Sequence, residues 1–169
     1  MERLVVRQAT QADAAALVEL AKAVGGEPEG WLISDSEWRS VGEERKYLRA
    51  IRRYPHAAIF VAEVPEGIVG RLSIARDSHP ASWHVADLGL MVAAGYRRRG
   101  IGRALLEEAV DWARAAGVLK IELHVFPHNA AGLALYEGFG FVREGYRRRH
   151  YKRGREYVDA ILMAYDVDA

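Results

Sequence analysis

Apolar residues recur at two spacings along this chain, and the switches between them mark out its elements. Leu4-Val5-Val6-Arg7-Gln8 reads as a short first strand. In AAALVELAKAVGG, Ala and Leu fall at helical spacing. Thr10 and Asp13 supply an N-cap and an acidic first turn, so a helix is predicted from about Asp13 to Val24, ended by Gly25-Gly26. Glu27 to Ser36 is a loop bearing Pro28 and Gly30. Its apolar Trp31, Leu32 and Ile33 either cover the core or wall a substrate cleft. Ser34 with Glu37 fits a capping box and predicts a second helix from about Glu37 to Arg53, stopped before Pro55.

From there strand patterns dominate. Ala57 to Val64 and Ile68 to Arg76 form a predicted hairpin about the turn Pro65-Glu66-Gly67. Trp83 to Val92 is a further strand. A helix runs through ALLEEAVDWAR and closes near Gly117. Val118 to Phe126 is a strand ended by Pro127, and Asn129 caps a helix from about Ala130 to Gly138. Phe141 to Arg149 and Glu156 to Asp166 pair through Lys152-Arg153-Gly154. The order is strand, two helices, three strands, helix, strand, helix, two strands. It predicts a mixed α/β (α+β) fold with helices covering a central sheet. No repeat, low-complexity stretch or linker interrupts it, so residues 1–169 are expected to form a single domain.

Composition narrows the chemistry. Lys plus Arg number 24 against 23 Asp plus Glu, so the chain lacks the strong positive charge of a dedicated nucleic-acid binder. It contains no cysteine, which excludes disulfides, thiolate metal sites and a cysteine nucleophile. MERLVVRQAT lacks the apolar core of a signal peptide, and no run approaches the 18 or so apolar residues of a membrane span. A cytoplasmic protein is the expectation.

The stretch that carries chemistry is Tyr96-Arg97-Arg98-Arg99-Gly100-Ile101-Gly102-Arg103-Ala104, a basic glycine-bearing turn running into a helix. A helix start leaves backbone N–H groups without partners at the positive end of the dipole. Glycine lets ligand oxygens approach that backbone, which suits a phosphate or pyrophosphate. No Gly-Lys-Ser/Thr closes the turn, so it is not a nucleotide-triphosphate loop. The order Arg97-x-x-Gly100-x-Gly102 also differs from the dinucleotide fingerprint. Taken alone, the spacing fits an ordinary tight turn with solvated arginines.

Context supplies more. Asn129 and Tyr136 stand seven residues apart, about two helical turns, and so share one helix face. The Arg-x-x-Gly-x-Gly turn together with NAAGLALYEGFGF resembles the GNAT family of N-acetyltransferases, most strongly from Asp87 to Phe141. The resemblance implies a mainly antiparallel central sheet of about seven strands flanked by about four helices. It implies acetyl-CoA as co-substrate, with no metal. The pyrophosphate would lie on the turn (Arg97, Arg98, Arg99, Gly100, Ile101, Gly102, Arg103, Ala104), the arginines tuning the field around it. Hydrogen bonds to charged groups contribute about 1.5–3 kcal/mol each, so several converging N–H groups suffice. The pantetheine arm would pair with Leu90, Met91 and Val92, where a bulge splays that strand from Val118–Phe126.

The same resemblance gives Asn129 a contact with the arm, beside its plain reading as an N-cap. It makes Tyr136 the general acid for the departing thiolate and a cofactor contact, against the alternative of a core tyrosine bonded to backbone. The base is open between Asp87, Glu122, His124 and water. Asp87 is shorter than the Glu of several family members, though a water can bridge. A strand histidine such as His124 is more often structural.

The acceptor is expected to be a primary amine of a small molecule: an amino acid, a polyamine or an amine antibiotic. The alternatives are a protein N-terminus or lysine, or a non-catalytic acyl-CoA sensor. A second basic cluster, Arg147-Arg148-Arg149-His150 continuing to Arg155, reads as a solvated hairpin edge, with an acidic substrate, an RNA-associated target or a homodimer contact as rivals. Neither nucleic acid nor membrane is expected as a partner.

Overall fold

The strand nearest the middle of the sheet is the one that loses its neighbour partway along, and the remaining elements frame that gap. In a computed structural model describing residues 3–33 and 38–168, the chain builds β1 (Val5–Gln8), α1 (Ala14–Gly25), α2 (Val41–Arg53), β2 (Ala57–Val64), β3 (Gly67–Arg76) and β4 (Val85–Val92). It continues with α3 (Ile101–Ala116), β5 (Lys120–Val125), α4 (Ala130–Phe139), β6 (Val142–Arg153) and β7 (Glu156–Asp166). One seven-stranded sheet has the order β1-β2-β3-β4-β5-β7-β6. All neighbours are antiparallel except β4 and β5.

Alternation along β2 explains the layering. Ala58, Phe60, Ala62 and Val64 turn to one face, where Leu105, Leu106 and Ala109 of α3 and Tyr136 of α4 complete the larger core. Ile59 and Val61 turn to the other, where Leu17 and Leu20 of α1 and Leu48 of α2 cover them. At the start of the first helix Thr10 opens a 3₁₀ turn over Gln11–Asp13, its N–H donating to Asp13 Oδ2 at 2.8 Å, and α1 itself begins one residue later than expected, at Ala14. For α2 the observed N-cap is Ser40, whose Oγ accepts from the Glu43 N–H at 3.2 Å. The helix therefore starts at Val41, and the expected Ser34–Glu37 box lies outside the described residues.

Two departures shape the cleft. The parallel β4–β5 ladder consists of Val85↔Lys120, Ala86↔Ile121 and Asp87↔Glu122, and then stops. The β3–β4 register runs unbroken from Arg76↔Ala86 to Gly70↔Val92, so the expected bulge in β4 is absent. The splay comes from the strands parting after their third pair. The second departure is in β6, which extends to Arg153 rather than ending at Arg149. Between Arg147↔Ala160 and Tyr151↔Val158, β6 advances four positions while β7 advances two. Asp159 holds the excess, accepting from the Arg149 N–H at 2.7 Å and the Tyr146 hydroxyl at 2.5 Å, with Arg149 at φ 52°. The bulge turns Tyr151 back toward β5.

Candidate functional site

A cleft of about 1470 Å³ opens where β4 and β5 part. Which backbone groups face it follows from the ladder. The Ala93 N–H donates to Val69 O and the Asp77 N–H to Val85 O, so odd-numbered β4 positions bond β3. The last parallel pair, Asp87↔Glu122, uses the Leu88 N–H against Glu122, so the Leu88 C=O and both the N–H and C=O of Leu90 point into the gap, with no β5 residue paired opposite Leu90. Val92 shares this phase, and its carbonyl accepts from Arg97 Nε at 3.0 Å. The main chain of Met91 is turned to β3, opposite Arg71. The edge offered to an extended ligand is therefore Leu88, Leu90 and Val92, a correction to Leu90, Met91 and Val92.

The basic turn sits at the wide end of the gap. Gly100 caps α3 at φ 82° and ψ 4°, and nothing lies within 4 Å of where its Cβ would be. Arg98, at φ 60°, adds a second left-handed residue. The first helix-closing bond runs from the Ala104 N–H to Gly100 O at 3.0 Å, so the N–H groups of Ile101, Gly102 and Arg103 precede the helical ladder. Ala104 itself donates to Gly100 and is not a free donor. Gly102 serves packing as well as access: a Cβ there would stand 2.7 Å from Leu135 Cδ2 of α4. The open space at Gly100, the unladdered N–H groups and the unpaired β4 edge together fit an extended ligand carrying a pyrophosphate.

The arginines divide. Arg97 grips Glu27 through both terminal nitrogens, at 2.7 and 2.6 Å, and that pairing holds the Glu27 carboxyl below its usual range. Its charge is paired with the α1–α2 loop, so Arg97 braces that loop while still lining the cleft. Arg99 lies over Tyr96, and Arg103 reaches Glu107 at 3.4 Å and the Phe139 ring.

Asn129 caps α4, its Oδ1 accepting from the Gly132 N–H at 2.9 Å. The amide nitrogen keeps donor capacity, and the side chain lines the cleft. Tyr136 is 8 % exposed and also lines the cleft. Among the described residues its hydroxyl has no hydrogen-bond partner, which removes the reading of a core tyrosine tied to backbone. Burial pushes its pKa above the ordinary value and keeps the phenol protonated.

On the opposite sheet face, Asp87, Glu122 and His124 converge on the same cleft. The free surface of Asp87 opens between the cleft walls, and poor hydration there, aided by the Glu122 charge, pushes its carboxyl up to about 6. His124 Nδ1 lies 2.5 Å from the Tyr151 hydroxyl. Burial, then the charges of Arg147 and His150, hold His124 below its ordinary pKa.

The loop after α1 closes one wall. Trp31, Leu32 and Ile33 line the cavity, as the cleft reading of that loop expected. Trp31 stacks on His128, whose Nε2 lies 3.0 Å from the carbonyls of Glu29 and Gly30. The basic hairpin splits: Arg147, Arg148 and Arg149 are exposed, whereas Tyr151 enters the cleft and Arg153 lies against Gly30. Sequence reasoning missed Leu88, Tyr151 and Arg71, a buried cation in mid-β3. Only Arg71 had a local signal, a charge between Gly70 and Leu72 in an otherwise apolar strand. No group of three His, Asp or Glu side chains among the described residues could hold a metal ion, and no helix there is long and apolar enough to cross a membrane.

Comparison with known proteins agrees with this geometry. The acetyltransferase (GNAT) family matches residues 29–141. The chain is 30% identical to the L-amino acid N-acetyltransferase AaaT of Escherichia coli K12, across 97% of this chain and 98% of that protein. It is 33% identical to the N-alpha-acetyltransferase RimI of Mycobacterium tuberculosis, across 98% and 94%. A GNAT acetyltransferase from Streptococcus pneumoniae superposes with a TM-score of 0.88 at 29% identity, covering 97% of this chain and 99% of that one. With a phosphate-ready turn, an unpaired strand edge and this match over most of its length, the chain belongs to the GNAT acetyltransferase family and is an acetyl-CoA-dependent N-acetyltransferase.

Proposed function

We propose that the enzyme acetylates the primary amine of a small molecule by direct transfer, with Asp87 as general base and Tyr136 as general acid. The observation that carries this reading is the placement of these two groups in one cleft, on opposite faces of the sheet where β4 and β5 part. Bound acetyl-CoA supplies an electrophilic thioester carbonyl. The N–H groups of Ile101, Gly102 and Arg103 hold the pyrophosphate, and the β4 edge at Leu88 and Leu90 aligns the pantetheine arm as an added strand. Asn129 Nδ2 donates to that arm.

The acceptor arrives largely as ammonium, because alkyl amines have pKa values near 10. Asp87, ionised at neutral pH, takes a proton from the ammonium and passes it to solvent through the open cleft, which frees the lone pair; the amine then bonds to the carbonyl carbon, and Asp87 accepts the second proton from the nitrogen, now more acidic. Tyr136 donates its hydroxyl proton to the sulfur as the carbon–sulfur bond breaks. A thiolate expelled into a poorly hydrated cleft is a stronger base than one in water, which favours that transfer.

AaaT is by its name an L-amino acid N-acetyltransferase and RimI an N-alpha-acetyltransferase; both favour an α-amine as acceptor. The apolar wall of Trp31, Leu32 and Ile33 beside the cleft favours the small-molecule reading over a peptide acceptor. The test pairs two substitutions with two readouts. Tyr136→Phe should lower kcat by about 10²-fold or more, the usual span of general acid catalysis, while calorimetric acetyl-CoA affinity stays within about twofold. Asp87→Asn should do likewise. Full turnover in either folded variant removes that residue's role, and tight acetyl-CoA binding with no transfer to any amine favours a sensor.

A further inference from the structure

The face of the sheet that carries Asp87 also carries a cation without a hydrogen-bonded partner. Arg71 on β3 is 6 % exposed, lines the cleft and makes no hydrogen bond with a described residue; its Nε is sealed from solvent without a partner. The nearby carboxylate is Glu44 of α2, 0 % exposed, and its Oε2 accepts from Arg39 Nε at 2.7 Å. Among the described residues, two guanidinium groups thus share one carboxylate, whose Oε1 is itself buried without a hydrogen-bond partner, so this cluster carries one net positive charge beside the cleft. Trp38 lies between the two cations, 5.0 Å from the Arg39 guanidinium and 5.4 Å from that of Arg71. A desolvated cation stacked on an indole and lacking a hydrogen-bonded anion is costly unless something else supplies one.

The register says where that anion would lie. Arg71 pairs with Met91, Ser73 with Gly89, and Ala75 with Asp87. Side chains at these positions share one face, so Arg71 and Asp87 stand at two ends of a short trough, their Cα atoms about 14 Å apart by strand geometry. Ser73 and Gly89 floor it with almost no side-chain bulk; a Cβ on Gly89 would meet Ser73 Oγ at 3.4 Å. The long Arg71 side chain and the shorter Asp87 reduce that span to small-molecule size. Leu32, Trp38 and Met91 provide apolar lining.

We infer that the acceptor is a free α-amino acid with an apolar side chain, its carboxylate held by Arg71 and its amine facing Asp87 over the Ser73–Gly89 floor. The inference rests on the amine-acetylating reading above and sharpens it. A planar guanidinium can take both carboxylate oxygens, and only a free acid offers them next to the amine. A peptide N-terminus has an amide there, which Arg71 would not favour. Arg71 is then a specificity-determining residue.

The experiment compares L-leucine, L-leucinamide, isoamylamine and an alanyl peptide as acceptors, with binding of leucine and acetyl-CoA measured by calorimetry. The wild-type protein should use leucine at least about 100-fold better in kcat/KM than leucinamide or isoamylamine. Arg71→Met should remove that preference, mostly through KM for leucine, and leave acetyl-CoA affinity unchanged. Arg71→Lys should restore part of it, and the wild-type comparison stands even if Arg71→Met does not fold. Equal use of leucine and leucinamide, or preference for the peptide, overturns the inference. If no acceptor is acetylated, leucine binding that depends on Arg71 still supports the site while the catalytic reading fails; absent leucine binding overturns the site.

Discussion

Asp87 and Glu122 are the last paired residues of the parallel β4–β5 ladder, and both side chains enter the cleft. The neighbouring charge of Glu122 adds to poor hydration in raising the Asp87 carboxyl to about 6. A base must be ionised, so kcat/KM should rise with pH through about 6 and level off above it. Removing the neighbouring charge lowers the base's pKa. Glu122→Gln should therefore move the acid limb to lower pH. A limb that stays in place shows that another group controls it.

The same carboxyl costs stability. Its folded pKa lies above the unfolded value, so its contribution is full below about 3.9 and is lost as pH rises through about 6. Asp87→Asn should thus be more stable than the parent at pH 8, and no more stable at pH 4. Since Asp87 retains solvent contact through the cleft, the gain is on the order of 1 kcal/mol. Thermal unfolding at the two pH values measures it.

Gly100 takes φ 82° in open space, so a side chain there meets strain without a clash. Gly100→Ala should cost about 1–2 kcal/mol and weaken acetyl-CoA binding by distorting the turn. Gly100→Asp adds like charge and should weaken it much further. Calorimetry on the folded variants decides; equal affinities would remove the turn from the binding site.

Arg97 bonds both Val92 O and the carboxylate of Glu27, 70 residues earlier in the chain. Arg97→Ala and Glu27→Gln should each raise KM for acetyl-CoA. Their effects on unfolding free energy should be non-additive, with a coupling of about 0.5–1 kcal/mol because both groups retain solvent contact. The depressed pKa of Glu27 means its contribution is present above the usual carboxylate range and is lost as pH falls below that range. Strict additivity would show that the pair is incidental.

The donor side of this site was legible in the sequence, and the acceptor side largely was not. Gly100, Gly102 and the Asn129 cap are local devices whose residue types state their conformations. Apolar residues occupy both faces of Leu88–Val92, so alternation does not separate Leu88, Leu90 and Val92, whose backbone faces the gap, from Met91, whose backbone faces β3. The β4 bulge was expected where the strands simply part. Tyr151 reaches the cleft through an excess of residues in β6 that only pairing with β7 reveals. Arg71 is buried by Trp38 and the α2 side chains, a long-range arrangement that strand periodicity does not encode.

The ladder that ends at Asp87 leaves a gap in the middle of the sheet, and in the proposed reading the molecule that fills it is also the one consumed. Folding and supply are then coupled: at free acetyl-CoA near a hundred times its dissociation constant, ligation adds about 2.7 kcal/mol to global stability. The amide of Leu90 would exchange slowly only while the coenzyme is aboard. A cell that depletes its acetyl donor would therefore hold a more loosely built, more proteolysis-prone enzyme, so turnover of the protein itself could track the metabolic pool it draws on.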